Sequence, residues 1–110
     1  MQLIFICSPL RPLPGSSYEM NKEVAGLYCK YAISLGYNVH APHLFYTNFL
    51  NDELISERDA GIALGIDMLR RCDELWVCGP TISSGMEKEI QKAHELNIPI
   101  KMISERVLHE

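Results

Sequence analysis

The strongest constraint on the fold is the alternation of strand-like and helical stretches. Four short apolar runs rich in β-branched or aromatic residues are separated by three stretches of helical periodicity. The first run, "QLIFIC", ends in the turn-prone "SPLRPLPGSS"; "YNVHA", "DELWVCG" and "IPIKMIS" are the other three. After the first, Met20, Val24, Leu27, Tyr31 and Leu35 recur at helical spacing up to Gly36, with Ser16 and Glu19 at capping-box spacing before them. Ile55, Ile62, Ile66 and Leu69 form the stripe of a second helix from about Asp52 to Arg71, and Met86, Ile90 and Ala93 that of a third in "MEKEIQKAHEL". The aromatic "PHLFYTNFLND" that follows the second strand reads as irregular. Near-continuous apolar strands that alternate with helices imply a parallel sheet covered on both faces. The expected fold is therefore α/β, a flavodoxin- or Rossmann-like three-layer sandwich with about four parallel strands, formed by residues 1–110 as a single domain.

Charge narrows the partners. The formal net charge is −4 and no Lys/Arg cluster exceeds the pair Arg70-Arg71. Nucleic-acid polymers and membranes require a concentrated basic face, so the expected partner is a small molecule. "LIFIC" lacks a basic lead and is too short to direct export or span a bilayer. Cys7, Cys29, Cys72 and Cys78 show no CxxC spacing and read as small hydrophobes of a reduced, cytoplasmic protein. His40, His43, His94 and His109 lack ligand spacing, and no GK[ST] follows Gly79 to Gly85, so neither a metal nor another cofactor is expected.

Ligands of such folds bind outside the carboxyl ends of the strands, where the loops Ser8 to Ser17, Ala41 to Leu50 and Gly79 to Gly85 would converge. Two acids border the helical stripes facing that crevice. Glu89 projects beside Ala93 and Leu96, where desolvation would raise its pKa; the plainer reading is an ion pair with Lys92 three residues on. Asp59 projects beside Ile55 and Ile66, either as a catalyst or as a satisfied hydrogen-bond acceptor. Two carboxylates in different environments are what glycosidic-bond chemistry uses. Ser83, Ser84 and the free N–H groups opening the third helix form a candidate anion site, or merely caps; Ser84 and Glu87 also have capping-box spacing. His43, beside Phe45 and Tyr46, is either a base contact or a loop histidine. Opposite its stripe the second helix carries Gly61, Leu64, Gly65 and Met68, a face for a homodimer or larger homo-oligomer unless "HLFYTNF" covers it within the chain.

The segments "FICSPLR", "ERDAG", "CDELWVCG" and "SSGMEKEIQKA" resemble the nucleoside 2-deoxyribosyltransferase-like superfamily over nearly the whole chain, in particular its small phage and bacterial members. The resemblance implies that Glu89, followed by Ala93, attacks the anomeric carbon of a nucleoside or nucleotide, with Asp59 protonating or orienting the leaving base. Six residues before Glu89, Ser83 stands where the transferases proper carry an aspartate. This resembles the branch acting on deoxynucleoside 5′-monophosphates, in which such a serine and a first-loop arginine, here Arg11, hold the phosphate. Ser8, Ser84 and Gly85, within the same segments, join the substrate-binding set. Phe5 stands where those enzymes often place a tyrosine against the catalytic carboxylate. The implied activity is that of an N-glycosidase or deoxyribosyltransferase, without a cofactor, in an oligomer whose neighbouring subunits complete the site. The alternative is a noncatalytic nucleotide-binding or signalling module with the same pocket.

Overall fold

The computed structural model describes residues 1–109. Strands β1 (Leu3–Cys7), β2 (Asn38–His40), β3 (Glu74–Cys78) and β4 (Ile100–Ile103) form one sheet in the order β2-β1-β3-β4. All three pairings are parallel, with Ile4 opposite Val39 on one side and Glu74 on the other, and Val77 opposite Met102. Helices α1 (Tyr18–Ser34), α3 (Ile55–Leu69) and α4 (Ser84–Glu95) make the crossovers. A short helix α2 (Pro42–Phe45) and a 3₁₀ turn (Tyr46–Asn48) organise the aromatic segment expected to be irregular, and a second 3₁₀ turn spans Glu105–His109. The fold is the expected α/β sandwich.

Burial explains why the central strands carry no polar alternation. Phe5, Cys7, Leu75 and Val77 point into a core with Leu69 of α3 and Met86 and Ala93 of α4. Ile4, Ile6, Trp76 and Cys78 point the other way, against Tyr28 and Ala32 of α1. Gly79, at φ +89°, ends β3 in a left-handed turn, and a Cβ there would also meet the Tyr28 hydroxyl at 3.4 Å.

The helices differ from their expected orientation. On α1 the sheet-facing residues are Ala25, Tyr28 and Ala32, whereas Met20, Val24, Leu27 and Leu35 of the predicted stripe stay at least 40% exposed. The two stripes lie side by side on one helix, and small Ala25 and Ala32 let its backbone approach the sheet while Tyr28 fills the remaining depth. The cap of α1 is Ser17, whose Oγ accepts from Met20 N at 3.1 Å; Ser16 instead closes a turn with Leu13. Likewise Ser83, not Ser84, caps α4, its Oγ accepting from Met86 N at 3.3 Å. On α3 the inward residues are Gly65 and Leu69, and Ile55 is 67% exposed.

The face of α3 expected to meet a second copy is partly covered within the chain. A Cβ built on Gly65 would lie 3.1 Å from Pro42 Cβ, and one on Gly61 would lie 3.7 Å from Leu50 Cδ1. The segment after β2 therefore folds back over these glycines, because their lack of side chain lets Pro42 seat directly on the helix.

Candidate active site

The chain leaves β1 for β2 on one side and later enters β3 on the other, so the strand order reverses between β1 and β3. A crevice opens at such a point beyond the strand ends. Here it is a cavity of about 320 Å³ enclosed by the loop after β1, the segment from Pro42 to Asp52, one side of α3 and the first turns of α4. Glu89 and Asp59 both line it, as do Ser8, Arg11 and His43 from the first two loops and Ser83, Ser84 and Gly85 at the start of α4. Every residue predicted for the site is thus brought to one cavity.

Glu89 reaches the cavity from the second turn of α4, three residues beyond buried Met86. A Cβ at Gly65 would lie 4.0 Å from Glu89 Oε2, so the bare backbone of α3 leaves the carboxyl its room. The plainer reading of Glu89 does not hold, because Lys92 pairs with Glu95 at 3.5 Å instead. Glu89 as a residue is only half-buried, yet burial of its carboxyl pushes the pKa up to about 8. The nearby Cys7 thiol, which donates to the Met86 carbonyl at 3.9 Å, opposes that shift. The same surroundings raise the thiol's own pKa, through burial first and the nearby Glu89 charge second.

Ser8 and His43, both more than 90% buried, form a pair with Ser8 Oγ 2.7 Å from His43 Nε2. Burial lowers the His43 pKa to about 4, with His40 and Lys22 adding like charge, so its imidazole is neutral at physiological pH. A neutral imidazole and a hydroxyl rotor present one donor and one acceptor in either arrangement, which suits an uncharged polar group of a ligand. Asp59, by contrast, is exposed at the cavity wall. Phe5 is fully buried, one pleat below Cys7, with its ring 5.9 Å from that of His40. It brings no hydroxyl toward Glu89.

The side expected to bind an anion differs from expectation in detail. Ser83 Oγ is engaged as the α4 cap, which leaves exposed Ser84 and the opening N–H groups as its free donors. Arg11 Nη1 lies 3.7 Å from Asp52 Oδ2, and the Tyr18 hydroxyl donates to the same oxygen at 3.1 Å. Sequence reasoning missed Asp52, Arg58, Lys88 and Tyr46, all of which line the cavity. Arg58 stands inside "ERDAG" beside Asp59, so the signal was present; Asp52 and Tyr46 sit in the segment read as irregular, where no periodicity indicates a direction. Among the described residues, no three His, Cys, Asp or Glu side chains cluster to hold a metal ion.

Residues 2–103 match a family described as a domain of unknown function, DUF7768. The chain belongs to that family. Its fold is shared with a solved structure, the 2-deoxyribosyltransferase from the psychrotolerant bacterium Bacillus psychrosaccharolyticus. The two superpose with a TM-score of 0.69 over 93% of this DUF7768 chain and 72% of the transferase, at 17% sequence identity. A likeness at that identity establishes common architecture. Comparison with curated protein sequences finds no match.

Proposed function

We propose that the chain is an N-glycosidase or deoxyribosyltransferase acting on a nucleoside or a nucleoside 5′-monophosphate, with Glu89 as nucleophile. The observation that carries this reading is a carboxyl without an ion-pair partner among the described residues, desolvated in a cavity at the strand-order reversal. The solved structure that shares the fold is a 2-deoxyribosyltransferase, which supports the same class of substrate. In this mechanism the ionised Glu89 carboxylate attacks the anomeric carbon while the C–N bond breaks and its electron pair leaves with the base. Asp59 orients that base or hands it a proton. Water or a second base then attacks the same carbon and releases Glu89. Ser8 and His43 hold an uncharged part of the substrate, and Arg11, Ser84 and the N–H groups around Gly85 hold a 5′-phosphate, with Ser83 fixing that turn as its cap.

The described residues act, in this reading, as one nucleoside 2-deoxyribosyltransferase-like domain within a homo-oligomer. Free thiols at Cys7, Cys29, Cys72 and Cys78 support a reducing, cytoplasmic setting. None of the described helices is long and apolar enough to cross a membrane.

Phe5 favours a second reading, a noncatalytic nucleotide-binding module, since it supplies no hydroxyl beside the carboxylate. Incubation with a panel of deoxynucleosides and their 5′-monophosphates, followed by chromatography for free base, separates the two. Base release supports the enzyme. Binding without release selects the module.

A further inference from the structure

Cys7 ends β1 fully buried, one residue before Ser8 of the cavity wall. Its thiol donates to the Met86 carbonyl at 3.9 Å, a long bond from a weak donor. That carbonyl lies inside α4, where the helix already supplies it with the N–H of Ile90, so the thiol is an extra donor there. A helix carbonyl points along the axis toward the next turn, and a helical side chain leaves its backbone tilted back toward the preceding one. A thiol beside the Met86 oxygen therefore lies beside the root of the Glu89 side chain, three residues on. The other ionisable groups of the cavity walls are Arg11, His43 and Asp52, then Glu57, Arg58 and Asp59 of α3, and Lys88 of α4 itself. The balance at Glu89 is set instead by burial, which disfavours its charge, and by Cys7, which favours it.

We propose that Cys7 is a positioning residue for Glu89: when the carboxyl loses its proton, the thiol turns from the Met86 carbonyl to the carboxylate and holds it in the charged form. The carbonyl keeps its Ile90 bond and is not left unsatisfied. The thiol keeps its own proton throughout, since burial first and the Glu89 charge second raise its pKa. The bearing on catalysis rests on Glu89 as nucleophile. There the carboxylate gives up its charge as its oxygen bonds to the anomeric carbon and recovers it when that C–O bond breaks. The thiol lets go in the first step and receives the departing carboxylate in the second.

The test is a carbon-13 NMR titration of the full chain labelled at its glutamate carboxyl carbons, with the Glu89 resonance assigned by its loss in Glu89→Gln. Cys7→Ala and Cys7→Val remove the donor, one leaving space and the other filling it, while Cys7→Ser restores a donor; circular dichroism establishes that each folds. Both apolar variants are expected to move the Glu89 midpoint up from about 8 by about half to one pH unit, the span of one hydrogen bond, and Cys7→Ser to return it to its original position or below. A thiol that only fills space leaves the midpoint in place in the folded variants, and that result overturns the proposal, as does a raised midpoint that Cys7→Ser fails to restore. Should neither apolar variant fold, Cys7→Ser alone decides: a midpoint at or below the original supports the proposal and a higher one overturns it. The titration needs no substrate, so its outcome is separate from the nucleophile reading. Absence of base release ends that reading, while the thiol's role at Glu89 stands or falls by the titration.

Discussion

Lys92 lies midway in sequence between Glu89 and Glu95, one helical turn from each, and its Nζ meets Glu95 Oε2 at 3.5 Å. That choice leaves the Glu89 carboxyl facing the cavity without a compensating cation, so nothing from Lys92 offsets the burial that raises its pKa. If this carboxylate is the nucleophile, Glu89→Gln keeps its shape and removes its attack. Base release should fall by at least about two to three orders of magnitude with little change in substrate affinity, measured by chromatography and calorimetry on the same preparation. Undiminished release would end the mechanism.

The pH dependence follows from two groups of opposite sense. Glu89 has a folded pKa of about 8, above its unfolded value, so its neutral form contributes stability that is complete at low pH and is lost as pH rises through about 8. His43 has a folded pKa of about 4, below its unfolded value, so it costs stability as pH falls from the usual histidine range toward 4. The Glu89 effect is thus cleanest between neutrality and pH 8. Urea denaturation across that window should show stability declining by about 1 kcal/mol at most, since one titrating group changes stability by no more than about 1.4 kcal/mol per pH unit and Glu89 is partly open to solvent. Glu89→Gln should abolish the decline. In the proposed mechanism activity has the reverse slope, and kcat/KM should climb with pH toward a plateau above about 8 as Glu89 ionises.

Monophosphates should bind about tenfold better than the corresponding nucleosides, the lower end of a charge-assisted hydrogen bond of ~1.5 kcal/mol, because Arg11 is half-exposed and must leave Asp52. Arg11→Ala should remove most of that margin in calorimetric titrations. Equal affinity of the unmodified chain for both ligand classes would refute the phosphate site.

Self-association, if it occurs as proposed, cannot be centred on Gly65, which packs against Pro42. The apolar surface nearest the cavity is instead the ring cluster of Phe45, Tyr46 and Phe49, with Phe45 and Phe49 more than half exposed and the Tyr46 hydroxyl 3.4 Å from the carbonyl of half-exposed Leu64. Light scattering should give a dimer or larger mass that dissociates in Phe49→Glu with the fold preserved. Gly65→Glu should instead unfold the chain, since it drives a charged side chain into Pro42. A species that survives Phe49→Glu but dissociates in Leu27→Glu would move the interface to the exposed stripe of α1. A monomer at micromolar concentration would remove the hypothesis.

Much of this architecture is legible in the chain because the signals are local. A strand buried on both faces shows it in "LIFIC" and "ELWVC", and Gly36 and Gly79 stop their elements where left-handed backbone is required. Glu89 is legible for the same reason: three-residue spacings along α4 place it at the edge of the Met86–Ala93 stripe whatever the helix packs against. The exposed Met20–Val24–Leu27 stripe shows the limit, since α1 has two faces of helical period and periodicity alone ranks the larger side chains first.

Contacts between distant segments depend on a different quantity, the distance at which two elements settle. Small residues at the contact, Ala25 and Ala32 on α1 and Gly65 on α3, govern that distance, and their effect exists only once a partner has been chosen. The turning of α1, the seating of Pro42 on Gly65, the Ser8–His43 pair and the capture of Arg11 by Asp52 all follow from it. The succession of strands and helices and the edge placement of Glu89 belong to short-range chemistry that each segment carries alone. Which groups meet in the cavity, and which of them are desolvated there, belongs to close packing, which is a property of the whole assembled chain.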